Sequence, residues 1–387
     1  MFAKTRLCFV LLLASAFVSG PHASPQRSAS ATPADATARI VAAARAVVAA
    51  LDEAGKGKLQ FAFDDAAQKK RWSNFPSPMF QRDGLRLGDL TPPQRTAVMA
   101  LLQAALSADG YRKVTEIMKG DEVLKTTAGG RGPGGGGPPG GGPPPGTPPG
   151  GGPPAGTPPG GGPPGGRAGG RGGPGGGLMF GEDQYWLAFL GTPSTTAPWM
   201  LQFGGHHLAI NLTIGGSQVS MTPSLPAAQP ARFTIEGREI RPLGKENDKG
   251  FALVNALDES QRSQAILNYR VADLVLGPTQ DGRTIQPEGI RASALTPAQQ
   301  TMLLDLVREW AGIMTDAYAE PRMAEIRGNL PQTYFAWSGP ITNGSAAYFR
   351  IQGPTLVIEY APQRGVDHIH TIYRDPTNDY GAGFARQ

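Results

Sequence analysis

Apolar residues return at helical spacing in two stretches that begin alike. "DGLRLGDLTPPQRTAVMALLQAAL", from Asp83, and "EGIRASALTPAQQTMLLDLVREWA", from Glu288, align at a constant offset of 205 residues. In each, a Thr (Thr91, Thr296) stands as a helix N-cap and a Pro (Pro92, Pro297) takes the first helical position, where no backbone N–H is needed. Each stretch therefore predicts a long amphipathic helix. Just upstream, "FDDAAQKKRW" and "LDESQRSQAI" predict a second, shorter helix in each copy. Further on the pattern turns to alternation. "YWLAFLGTPSTTAPWMLQFGGHHLAINL" from Tyr185 aligns without gaps on "TYFAWSGPITNGSAAYFRIQGPTLVIEY" from Thr333, at an offset of 148, and both read as antiparallel hairpins around Gly/Pro/Asn turns. The last hairpin, "TLVIEYAPQRGVDHIHTIYRDP", has "HLAINLTIGGSQVSMTP" as its counterpart. The expected fold is α+β, with two similar helix-plus-antiparallel-hairpin halves related by internal duplication and packed about a pseudo-two-fold axis. Neither half has enough strands to stand alone, so one joint domain is expected.

The offsets differ by the length of an insert. Residues 128–177 are almost wholly Gly and Pro, with no large apolar residue and no collagen register, which predicts a disordered linker inside the first repeat. The organisation expected is a signal peptide over 1–23, the helical part of the first repeat over 24–127, the insert over 128–177, the first repeat's strands over 178–235, and the second repeat over 236–387. The signal rests on Lys4 and Arg6, the apolar run Leu7–Val18 and the small residues after it. That run is too short for a permanent span, and no later stretch is apolar enough for an integral membrane segment. A periplasmic or secreted protein is expected.

Composition then removes several chemistries. The one cysteine, Cys8, lies in the signal, so thiol catalysis and disulfides are excluded from the mature chain and any metal must be held by His and carboxylate. Five of the 36 basic residues (Lys4, Arg6, Arg131, Arg167, Arg171) fall in the signal or the insert, which leaves 31 against 31 acidic ones. A neutral body argues against nucleic acid as a partner. There is no GxSxG, no phosphate-binding GxxxxGK and no GxGxxG after a strand. The expected partner is a small molecule or an envelope component.

The strings "FGGHHLAINLTI", "IRPLGKENDKGFALVNALDESQ", "VLGPTQDGRTIQPEGI" and "DHIHTIYRDPTNDYG" resemble the DUF3500 family of exported bacterial proteins of uncharacterised function. The resemblance runs from about residue 35 onward, the insert excepted. It implies no reaction, so the chemistry is left to the residues.

Four of the five histidines fall in two strings, His206 and His207 in "GGHH" and His368 and His370 in "DHIH". On a strand His368 and His370 share a face, two residues apart, a natural way to offer two imidazoles to one ion. His206 and His207 face opposite ways on a regular strand, so one of them joins the pair unless Gly204 and Gly205 make a bulge. Pro354 and Thr355 stand where the second copy would have His206 and His207, and "GSQVS" replaces the DHIH strand in the first. Each half has kept a different histidine pair, as a single composite site would require. The expected cofactor is Zn or Cu, with binding that weakens below roughly pH 6 as free imidazoles protonate. Asp367 and Asp375 are candidate further ligands or acceptors from a histidine. Glu359 is the candidate general base, if it faces the histidines, and Arg374 the candidate clamp for a carboxylate or phosphate, with Asp375 or Asp379 as its partner. "GREIRPLGKENDKG", residues 237–250, reads as a charged strand and turn. The expected function is a metal-dependent hydrolase or copper-type oxidoreductase; the alternative is a non-enzymatic envelope scaffold with structural histidines. Export is checked by the intact mass of periplasmic material, which is expected to start within a few residues of Ala23; retention of Met1–Val18 would overturn it.

Overall fold

The computed structural model describes residues 31–128 and 178–384. The expected signal cleavage point and residues 129–177 of the Gly/Pro insert lie outside the described residues. From Thr32 on, the chain forms one compact unit of mixed helix and sheet.

The first run of elements has helices α1 (Pro33–Ala49), α2 (Pro92–Ala105) and α3 (Ala108–Ala128). Strands β1 (Tyr185–Leu190), β2 (Trp199–Gly205), β3 (Leu208–Gly215) and the two-residue β4 (Leu225–Pro226) follow. The second run has α4 (Gly244–Ala256), α5 (Pro297–Ala311) and α6 (Asp316–Gly328), then β5 (Tyr334–Ser338), β6 (Tyr348–Gly353), β7 (Leu356–Pro362) and β8 (Ile369–Arg374). The Thr-Pro starts behave as the sequence predicts. Thr91 and Thr296 both cap in capping boxes, closed by Gln94 and Gln299.

Two readings are corrected. Only Ala66–Lys69 of "FDDAAQKKRW" is helical; the helix that holds the place of Glu259–Ala265 is Glu53–Leu59, capped by Asp52 as the later one is by Asp258. The charged stretch 237–250 is a strand over Arg238–Ile240 and then the start of α4. Its Glu246 is fully buried and pairs with the equally buried Lys113 of α3, which also donates to the carbonyl of Glu309 on α5. A charged residue inside an apolar stripe hides that helix from a reading by periodicity.

Strands β1, β2 and β3 form an antiparallel meander, and so do β5 to β8. The segment 224–228 joins them. On one side Leu225 and Pro226 pair with Ala209 and Leu208 of β3. On the other, Ser224 and Tyr373 exchange backbone hydrogen bonds of 2.9 and 2.8 Å, and Ala228 and Ile369 exchange two of 2.9 Å. Helices α1 and α2 pack together, as do α4 and α5, and one apolar cluster runs from Ile40 and Leu101 through Phe189 and Trp199 to Leu306, Trp310 and Phe349.

Gly84 and Gly289 hold matching places before α2 and α5. Both have positive φ (+128° and +94°), and a Cβ on either would press well inside 3.0 Å of the carbonyl oxygen of Leu187 or Phe335 on the adjoining strand. Gly289→Ala is expected to cost about 2–4 kcal/mol, from a left-handed backbone and a backbone clash together. Gly216→Ala, with φ +61° and open space around it, is expected to cost only about 1 kcal/mol. Urea unfolding of both variants checks the difference; equal losses would show that the close approach to Phe335 does not matter.

Candidate metal centre

His206 and His207 are the two-residue turn between β2 and β3: Gly205 pairs with Leu208, and the chain reverses between them. The strand expectation, with its opposite-facing histidines, is therefore corrected, and so is the bulge. Gly204 and Gly205 stay in ladder register with β1 and β3. They are glycines because a Cβ on Gly205 would meet the Tyr185 ring at 2.7 Å and one on Gly204 the carbonyl of Leu208. His207 takes φ +59°, a left-handed conformation unusual for a residue with a side chain. The turn is held there on several sides: Tyr185 Oη donates to the carbonyl of His206 (2.9 Å), Ala227 N–H to that of His207 (2.8 Å), and Arg82 Nη2 to that of Gly205 (2.7 Å).

The two turn histidines then part. His206 Nδ1 is 2.6 Å from the buried carboxylate of Asp121 on α3, and its ring lies on that of His207 with centroids 3.7 Å apart. His207 points the other way along the stack, to β8. Its Nε2 is 2.9 Å from His368 Nε2, which is itself 2.9 Å from His370 Nε2. Ligand atoms of His207, His368 and His370 all lie within 4.8 Å of one another, so the three could hold a metal ion. His370 Nδ1 is 3.0 Å from Asp273 Oδ1, and Asn74 Nδ2 reaches His370 Nε2 at 3.1 Å. An Nδ1–H donated to Asp273 leaves the His370 Nε2 lone pair facing the other two rings, the usual arrangement behind a metal-binding imidazole.

Burial sets the charge state. His207 is held well below the usual imidazole range by desolvation and then by its histidine neighbours. His368 is pushed down to about 4, first by burial and then by His370 and His206. For Asp273 burial alone would raise the pKa, but the hydrogen bond from His370 helps to outweigh it and the carboxyl ends below its usual value. Neutral rings with free lone pairs are the form a cation needs. A cleft of about 540 Å³ opens on the His368 and His370 side, with Trp72, Phe75 and Phe80 as apolar wall and Gln280, Gln363 and Arg364 as polar rim.

The other candidates are committed elsewhere. Glu359 is fully buried, and its carboxylate accepts from the backbone N–H groups of Val275 and Leu276 and from Tyr348 Oη. It anchors the loop that carries Asp273 and has no free oxygen for a proton transfer. Arg374 donates to the carbonyls of Leu276 and Gly277 and pairs with Asp281 and Asp379, so it fastens the same loop and does not face the cleft as a clamp. Asp375 pairs with Arg322 at 3.1 Å and receives Thr377, away from the histidines. Asp367 accepts the N–H of Ala231. Asp273 and Asp121 take the place foreseen for Asp367 and Asp375 as acceptors from a histidine, and Asn74 lies against His370 Nε2. Asp273 and Asn74 come from segments with no periodic signal, and Asp121 from the middle of a helix, so nothing in the sequence marks them.

No curated protein and no solved structure matches this chain. The profile of the family described as a protein of unknown function, DUF3500, matches residues 33–382, nearly the whole chain including both histidine pairs, and the chain belongs to that family.

Proposed function

We propose that this is an exported metal-dependent protein, periplasmic or secreted, whose composite centre of His207, His368 and His370 holds Zn or Cu and works as a hydrolase or a copper-type oxidoreductase on a small molecule or envelope component in the adjoining cleft. The observation that carries this reading is the shortage of protons between the rings. His368 Nε2 makes two 2.9 Å contacts with other Nε2 atoms, and a His370 Nδ1–H donated to Asp273 would turn the His370 Nε2 lone pair inward. One proton on His368 serves one such contact well and two poorly; a cation among three lone pairs satisfies all of them. Two nitrogens about 2.05 Å from an ion are about 2.9 Å apart at a right angle and about 3.3 Å apart at the tetrahedral angle. The two 2.9 Å spacings match neighbouring donors at about a right angle, and the three ligand atoms, all within 4.8 Å of one another, would draw in around an ion and leave a position on the cleft side; the spacing does not choose between Zn and Cu. Such a position serves hydrolysis through bound water or oxygen chemistry.

We read the two halves as duplicated copies about a pseudo-two-fold axis. Support comes from the turn between α2 and α3, where Ser107 N donates to Ile313 O, and the turn between α5 and α6, where Thr315 N donates to Ala105 O. Matching turns touching reciprocally are what a two-fold generates. A second reading, an envelope scaffold with structural histidines, draws on Asp273 and Asn74, which satisfy His370 without any ion.

Protein purified without a His-tag is expected to carry about one equivalent of Cu or Zn by elemental analysis. Calorimetry is expected to show His207→Ala, His368→Ala and His370→Ala each weakening binding at least about a hundredfold, and Asp273→Asn about 10–100-fold. His206→Ala, whose ring is turned to Asp121, should stay within about tenfold of the parent. A parent that binds neither ion leaves the scaffold reading standing.

The pH window follows from the low imidazole pKa values. His207 and His368 lie below 6.5 in the folded chain, so on acidification the unfolded chain takes up protons first. Metal-free protein is expected to hold full stability above about pH 6.5 and to lose it progressively toward about pH 4. Proton competition with the metal shifts the same way, toward the His368 value of about 4 and below the window expected for free imidazoles. Thermal unfolding of the metal-free protein between pH 7 and pH 4 checks this, and a flat profile would contradict it.

A further inference from the structure

We propose that Asn74 is a metal-binding residue, its Oδ1 the fourth protein donor to the ion held by His207, His368 and His370. The proposal rests on the metal-centre reading and adds a ligand to it. Asn74 is 9% exposed, and among the described residues its amide makes one hydrogen bond, from Nδ2 to His370 Nε2 at 3.1 Å. That bond uses the lone pair an ion would take. Once the lone pair is given to a cation, an NH2 group left facing the centre has lost its acceptor and meets a positive charge. Turning the amide over about its last bond exchanges two atoms of nearly equal size, so no packing changes, and it places an oxygen where the nitrogen was. An oxygen about 3.1 Å from His370 Nε2 lies between the spacings expected for two donors of one ion at right-angled and tetrahedral geometry, about 2.9 and 3.3 Å. Nδ2 then faces away from the ion, free to donate to another oxygen.

The backbone around Asn74 is fixed as a ligand's should be. Arg82 Nη2 donates to the carbonyls on either side of it, Ser73 at 2.7 Å and Phe75 at 2.8 Å, and to Gly205 at 2.7 Å, just before the histidine turn. The carbonyl of Asn74 accepts the N–H of His207 at 3.4 Å. One guanidinium thus ties the Asn74 loop to the turn that carries His207, and the two donors keep a set distance before any ion arrives.

Co(II) is the probe, since its visible absorption reports the donor set. The parent, Asn74→Ala and Asn74→Asp are titrated with Co(II), with Zn(II) competition for affinity and thermal unfolding to establish that each is folded. The expected results are a loss of about tenfold or more in affinity and a changed band for Asn74→Ala, and for the isosteric Asn74→Asp a gain of about tenfold with its own shifted band, because a carboxylate replaces a neutral oxygen. If Asn74 merely buttresses His370, the band keeps its shape in both variants and Asn74→Asp does not tighten binding. Either result overturns the proposal while leaving the three-histidine centre in place, and should Asn74→Ala fail to fold, Asn74→Asp decides alone. A parent that binds no Co(II), Zn(II) or Cu(II) removes the centre itself.

Discussion

Everything at the histidine cluster depends on the short segment 224–228, which is paired on both edges. A strand edge presents unpaired N–H and C=O groups, and here two such edges, β3 and β8, are closed by the same few residues. Because that segment carries the Ala227 N–H bonded to the carbonyl of His207, and the Ala228 and Ser224 bonds to Ile369 and Tyr373 on either side of His370, it fixes the turn of one sheet against the strand of the other. The side chain of Thr371 adds a bond to the carbonyl of Pro226, and Trp310 of α5 donates to the same hydroxyl from the helix layer. Distance between the two histidine pairs is thereby set by backbone pairing, which tolerates little drift.

The rest of the site is built outward from that seam by buried polar groups. Arg82 is half-buried, with its pKa lowered to about 10 by desolvation, yet Nη2 alone serves three carbonyls around the Asn74 loop and the histidine turn. Glu359 and Arg374 do the same for the loop 275–281 on the opposite side, one accepting its N–H groups and the other donating to its carbonyls. Asp273 then stands at the start of a loop held by charged side chains that the cleft never sees. The residues that looked most chemical in the sequence are the ones that hold the chemistry in position.

The fold was more legible than the site, and for a physical reason. Helix starts are local: a Thr and a Pro fix the first turn, so α2 and α5 could be read from four residues each. Hairpins are nearly as local, and the gapless alignment of Tyr185 onward with Thr333 onward predicted matching hairpins, although the turn at His206–His207, which answers Pro354–Thr355, was itself read as strand. What was not legible is long-range. Which of two adjacent histidines turns inward depends on Asp121, more than eighty residues earlier, capturing the other. His370 finds its carboxylate 97 residues upstream at Asp273, although Asp367 and Asp375 are much nearer in sequence. Glu359 alternates onto the same face as Ile372, opposite which it pairs, but alternation says nothing about a loop folding over that face and taking both oxygens.

The distribution of donors between the halves has a consequence for how such a site is assembled. The first half's hairpin turn supplies His207 and the second half His368, just before β8, and His370 on it, while Asn74 comes from the first half and Asp273 from the second. Neither half alone holds three imidazoles. A cation binding all three gains its full affinity only when the sheets are joined through 224–228, so its binding energy is added to the association of the halves as well as to local order. With Cys8 the one cysteine in the sequence, no intrachain disulfide can staple the two sheets together, and the metal proposed above, shared across the seam, would be a crosslink of another kind.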